Sequence, residues 1–140
     1  MKTIEVKLND VDYIIQNMNA HDASYLAVQF MPILMSLQSA ISANDSTQAI
    51  SGALGGLTKE KYNEIVYSLF GLIKKRDHNV LCDVFKDGVF MYEDIKNDPY
   101  VYMSLLKESF MLSFADFLAS AARAFPSAAA ALKGQSSTQV

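Results

Sequence analysis

His78 and Cys82 stand four residues apart, a spacing that on a helix turns both side chains the same way and could begin a metal site. Zinc takes three or four ligands, and only His21, Asp83 and Asp87 are available to complete the set, at spacings that match no zinc pattern. The sequence therefore predicts no metal centre. Cys82 beside His78 or His21 could act as a nucleophile, yet acyl transfer also needs an orienting third group and oxyanion donors, which no other motif supplies. Asp10 and Asp12 look like a carboxylate pair, but their sidedness on a strand makes them solvated charges flanking a turn. Gly52, Gly55 and Gly56 lack the preceding strand and the closing Gly-Lys-Ser/Thr of a phosphate-cradling loop. The expectation is a non-enzymatic protein with no catalytic, cofactor-binding or metal-ligating residue and no cofactor.

Two sets of apolar residues raise binding instead. Phe110, Phe114 and Phe117 could line a ligand pocket or stack on RNA, but their helical spacing in an amphipathic context makes them core. Met18, Met31, Met35, Met91, Met103 and Met111 occupy apolar positions, where flexible thioethers fill core gaps or line an adaptable groove. Lys74, Lys75 and Arg76 are the one basic run in a chain of net charge −3, too little for a phosphate-neutralising stripe, so no nucleic-acid partner is expected.

The elements that must position these residues fit one domain, because 140 residues with 51% hydrophobic content suffice for one sizeable core. Residues 2–18 alternate apolar and polar about Asn9-Asp10 and read as a β-hairpin, which must pack on something else to be stable. A helix follows, capped by Asn19 with Asp22 in its first turn, and its buried stripe is read as Tyr25, Leu26, Phe30, Ile33, Leu34, Leu37 and Ile41. Pro32 predicts a kink near residues 29–32. Residues 23–58 hold one charge, Asp45, so the small, polar stretch 42–56 is either a loop or a surface that a partner covers.

Thr58 caps a second helix, with Glu60 in its first turn, a stripe of Tyr62, Ile65, Val66, Leu69, Phe70 and Ile73, and Lys74, Lys75 and Arg76 placed at its C-terminus by the helix dipole. Residues 79–85 are ambiguous and could form a short helix before a small hairpin at Lys86-Asp87-Gly88. Asp98-Pro99 starts a last long helix with Met103, Leu106, Phe110, Phe114, Phe117 and Ala121 along one side. Together these predict a mainly α fold with a small β component (α+β): an N-terminal β-hairpin packed on a helical bundle over residues 1–125, and a flexible, disordered tail over 126–140. The apolar stretches 23–41 and 101–117 are interrupted by polar and charged residues, so no membrane span is expected, and no secretory signal opens the chain. A single cysteine fits a reducing compartment.

Taken in order, the hairpin, the helix containing residues 27–30, the run Val80-Leu81-Cys82-Asp83-Val84 followed by Lys86-Asp87-Gly88, and the segment 105–118 resemble the small tail assembly chaperones of long-tailed bacteriophages. The final helix of that family often ends in a pattern like Asn-Phe-x-x-Phe-Phe; here Ser113 precedes Phe114, Phe117 is the second aromatic and Leu118 follows it. The resemblance implies binding of the tape measure protein in the host bacterial cytoplasm, keeping it soluble until the tail tube polymerises, followed by release, so that the chain is not retained in the virion. The tail tube protein is a second candidate partner, and an exposed apolar stripe would favour a homo-oligomer when the client is absent. The alternatives are a tail structural or completion protein that stays in the particle and, further off, a small regulatory binding protein.

Overall fold

A computed structural model describes residues 2–42, 52 and 55–124; of these, the side chains of 34–42, 116, 121 and 122 are not described. Strand β1 (Thr3–Leu8) pairs antiparallel with β2 (Val11–Gln16) from Thr3↔Gln16 to Leu8↔Val11. The turn between them sets Asn9 and Asp10 at φ 50° and 64°, the left-handed pair that a two-residue hairpin needs. Helix α1 (Ala20–Ser42) follows, then α2 (Lys59–Phe70), β3 (Ile73–Asp77) and β4 (Val80–Asp83). A small hairpin, β5 (Phe85–Lys86) and β6 (Val89–Phe90), leads to a short helix α3 (Glu93–Asn97), then α4 (Pro99–Phe110), a π turn (Met111–Ala115) and α5 (Asp116–Ala124).

The expected hairpin on a helical bundle is corrected by a four-stranded antiparallel sheet in the order β1-β2-β3-β4, which makes the fold an α+β one with no bundle. The error lies at Lys74, Lys75 and Arg76. Helix α2 stops at Phe70, with the Gly71 N–H on the Tyr67 carbonyl, and the Leu72 carbonyl then accepts the Gln16 N–H at 3.0 Å, which brings the chain into β2's ladder. The three cations alternate along β3 instead of closing a helix: Ile73 is buried, Lys74 and Arg76 are exposed and Lys75 lies half-buried between them. His78 and Asn79, at φ 51° and 66°, make the same kind of turn as Asn9-Asp10, so residues 80–83 form a strand and not a helix.

Inward-facing residues line up across the sheet as Ile4, Ile15 and Ile73, then Val6, Tyr13, Lys75 and Cys82. Helix α4 packs on this face at β2 and on α2, and the π turn touches both β2 and α1. The outer face is charged and self-neutralising: Lys7 lies opposite Asp12, Lys74 opposite Asp83, and Arg76 Nη2 is 3.8 Å from Glu5 Oε1. The small hairpin is held by rings, Phe85 on Tyr67 at 4.5 Å between centroids and Phe90 edge-on to Phe70 at 5.2 Å.

The last helix is not continuous as expected. Buried Val101, Leu105, Ser109 and Ser113 recur every fourth residue, slower than the 3.6-residue turn of an α-helix, and the wider π turn keeps the later members facing the core. The expected loop at 42–56 falls largely, and the expected tail at 126–140 wholly, outside the described residues.

Candidate functional site

Helix α1 is positioned by its cap. The Asn19 side chain accepts the Asp22 N–H at 2.8 Å while its amide donates to the Asp22 carboxylate at 2.9 Å, a reciprocal pair that fixes both the first turn and the direction of the Asp22 side chain. The preceding residue, Met18, is anchored by a buried bond from its N–H to Ser113 Oγ at 3.0 Å. Ser113 is the residue that departs from the family-like ending, and the departure has a physical reason. From the π turn of the last helix it gives a buried backbone donor its acceptor.

Helix α1 buries Ala23, Leu26, Ala27 and Phe30, and not the stripe expected for its first half: Tyr25 is 54% exposed. The two alanines are the reason, because small side chains let α1 close on the π turn and rotate Tyr25 outward. Phe30 leaves helical geometry (φ −125°, ψ 24°) two residues before Pro32, the kink that the proline predicts. On the outward flank lie Tyr25, Val28 at 85% exposure, Gln29 and Pro32, without a charge among them. An ordinary solvent-facing helix side carries charged residues at such positions. Beside this flank a groove of about 240 Å³ opens between α1 and α2, lined by Met18, Asp22, Tyr25, Leu26, Glu64, Ser68 and Leu72. Glu64 is half-buried, and among the described residues neither its carboxylate nor that of Asp22 has a cationic partner.

The other singled-out residues are dispersed. His78 sits in an exposed turn with Nε2 3.5 Å from Asp77 Oδ1, Cys82 is half-buried on β4, His21 is exposed in α1's first turn, Asp83 faces Lys74 and Asp87 is in the small hairpin's turn. The helical His78/Cys82 face therefore does not exist. Among the described residues no group of three or more His, Cys, Asp or Glu side chains could hold a metal ion. Asp10 occupies the left-handed turn and Asp12 pairs across to Lys7. A Cβ added at Gly52 or Gly56 would meet nothing within 4 Å. Phe110 and Phe114 are buried with centroids 5.3 Å apart, and Phe117 is partly buried against the same core. Of the methionines, Met18 is buried, Met31, Met103 and Met111 pack against the core, and Met91 is 55% exposed. No described helix is long and apolar enough to cross a membrane.

One polar cluster escapes sequence reasoning. Asp94 Oδ2 accepts from Lys75 Nζ at 3.2 Å and from the Tyr13 hydroxyl at 3.4 Å, and Lys75 stands 4.2 Å from the centre of the Tyr92 ring. Burial first, and the Asp94 charge second, push the Tyr13 phenol up to about 12, while a hydrogen bond with Cys82, then burial, lift Tyr92 to about 12. The cluster is internally satisfied and ties α3 to the sheet.

A small α+β scaffold with an uncharged helix flank above a groove has the make-up of a protein that docks other proteins. The chain belongs to the phage tail assembly chaperone family: the family model described as phage tail assembly chaperone protein, TAC, matches residues 9–126. No curated protein and no solved structure matches it significantly. A chaperone role in tail assembly follows from the family.

Proposed function

We propose that this chain binds the tape measure protein, keeps it soluble until tail tube subunits polymerise around it, and then leaves, so that it is not retained in the virion. The observation that supports this reading is the uncharged outward flank of α1, Tyr25 to Pro32, which is apolar where water would favour charge. A long helical client exposes apolar stripes of its own until the tube encloses it, and laying such a stripe on an apolar helix flank covers both. On this reading the protein acts as a binder and not as a catalyst, in the host bacterial cytoplasm, and it self-associates when no client is present. The test is co-expression with the tape measure protein encoded beside it. The expected result is that the large protein turns soluble and co-elutes with this chain, while purified particles lack it; an insoluble, unassociated tape measure protein together with this chain in the particles would establish a structural role instead.

A further inference from the structure

Where on the surface a client sits, and what it must carry, follows from the groove between α1 and α2. Its volume of about 240 Å³ lies below the roughly 300–1,000 Å³ of sites that enclose a free small molecule, so it suits side chains projecting from something larger. Its floor is Met18, Leu26 and Leu72, and Tyr25 and Val28, one helical step apart, extend the apolar strip beyond it. Two carboxylates line it. Asp22 is held there by Asn19, and Glu64 projects from α2, half removed from water, with no cation to answer it among the described residues. A carboxylate in partly desolvated surroundings gains more from a partner cation than one in open water, and next to an apolar strip it selects which apolar segment binds.

We propose that this groove is the client seat, and that it takes an amphipathic helical segment of another protein whose apolar face covers Leu26, Tyr25 and Val28 and which places a lysine or arginine between Asp22 and Glu64. The segment belongs to another protein because α1 itself contains no lysine or arginine, so α1 of a second copy docked here leaves both carboxylates unanswered. The proposal deepens the chaperone reading and rests on it for the client's identity, but the seat and its charge preference stand or fall separately.

The test replaces Val28 with p-benzoylphenylalanine in the full chain, co-expressed with the tape measure and tail tube proteins encoded beside it, and maps adducts by mass spectrometry after irradiation. At 85% exposure the position tolerates the change. The expected adduct lies in an apolar helical stretch with a lysine or arginine within a turn, and Glu64→Lys lowers its yield at least about fivefold while Glu64→Gln falls between. Circular dichroism melts confirm that the variants fold, and Val28→Asp, at a fully tolerant position, lowers co-elution of the client independently. An adduct to a second copy of this chain, no adduct while the wild-type chain co-elutes with its client, or a yield indifferent to Glu64→Lys overturns the seat. An adduct of the expected chemistry on a tail protein other than the tape measure keeps the seat and overturns the client assignment.

Discussion

Single side chains join distant parts of this fold. Ser113 is 3% exposed and satisfies the Met18 N–H, and Ser109, fully buried, donates to the Leu69 carbonyl at 3.1 Å, so two serines of the last helix bind the start of α1 and the end of α2. Ser113→Ala leaves the Met18 donor buried and unpaired, and is expected to cost about 1–3 kcal/mol in urea unfolding with an unchanged m-value. Ser109→Ala removes a donor from a carbonyl already at a helix end, and the smaller loss expected, about 0.5–1.5 kcal/mol, separates the two cases. Tyr13 makes a pH-dependent contribution. Its phenol titrates near 12 in the folded chain and near 10 unfolded, so the native state holds this proton more tightly; the resulting stability is complete below pH 10 and disappears as pH rises through 12. Tyr92 shares that window, and burial followed by the hydrogen bond with Tyr62 raises Tyr102 further still. Unfolding free energy should therefore fall between pH 10 and 12, and Tyr13→Phe should make that fall shallower, as chemical denaturation across the window will measure.

Elements begin and turn where short-range chemistry dictates. Each of three hairpins rests on two consecutive left-handed residues, Asn9-Asp10, His78-Asn79 and Asp87-Gly88. At Gly88 (φ 78°) an added Cβ meets nothing within 4 Å, so the cost of Gly88→Ala is backbone strain alone, expected at about 1–2 kcal/mol and readable as a shift of the thermal midpoint without loss of secondary structure. Such local rules make much of the chain legible from sequence: the first hairpin, the caps at Asn19, Thr58 and Asp98, the Asp-Gly turn and the kink before Pro32 all depend on neighbours within a few residues. What fails depends on distant partners. Lys74, Lys75 and Arg76 satisfy a helix dipole as well as they satisfy a strand, and only the ladder to Tyr13 and Ile14 decides between them. Tyr25 reads as part of the buried stripe because alanines give no hydrophobic signal, although Ala23 and Ala27 set the rotation of α1. The groove is invisible for the same reason: Asp22 and Glu64 are 42 positions apart, and no periodicity in either helix reports that they face one another.

At the scale of the molecule, charge is distributed unevenly. The outer face of the sheet pairs its own acids and bases, Lys7 with Asp12, Lys74 with Asp83 and Arg76 with Glu5, and its β1 edge carries Glu5 and Lys7, which discourages strand addition from another chain. The α1 flank has no such protection, and the two carboxylates beside it are unanswered among the described residues. A surface so divided directs association to the helical side. Apolar burial there should dominate the free energy of client binding, with one ion pair adding selectivity, and this combination has a thermodynamic signature. Calorimetry of the client complex should give a negative heat-capacity change, because apolar surface leaves water, together with a shallow loss of affinity with added salt, because a single partly exposed pair is screened beyond about 10 Å at 0.1 M. Glu64→Gln should flatten the salt dependence and leave the heat-capacity change nearly intact, whereas Val28→Asp should shrink the heat-capacity change. A steep salt dependence surviving Glu64→Gln would move the contact to the charged face of the sheet. Release during assembly then needs no chemical step: a binding energy made mostly of non-directional apolar contact is lost whenever polymerising tube subunits offer the client a larger surface of the same kind.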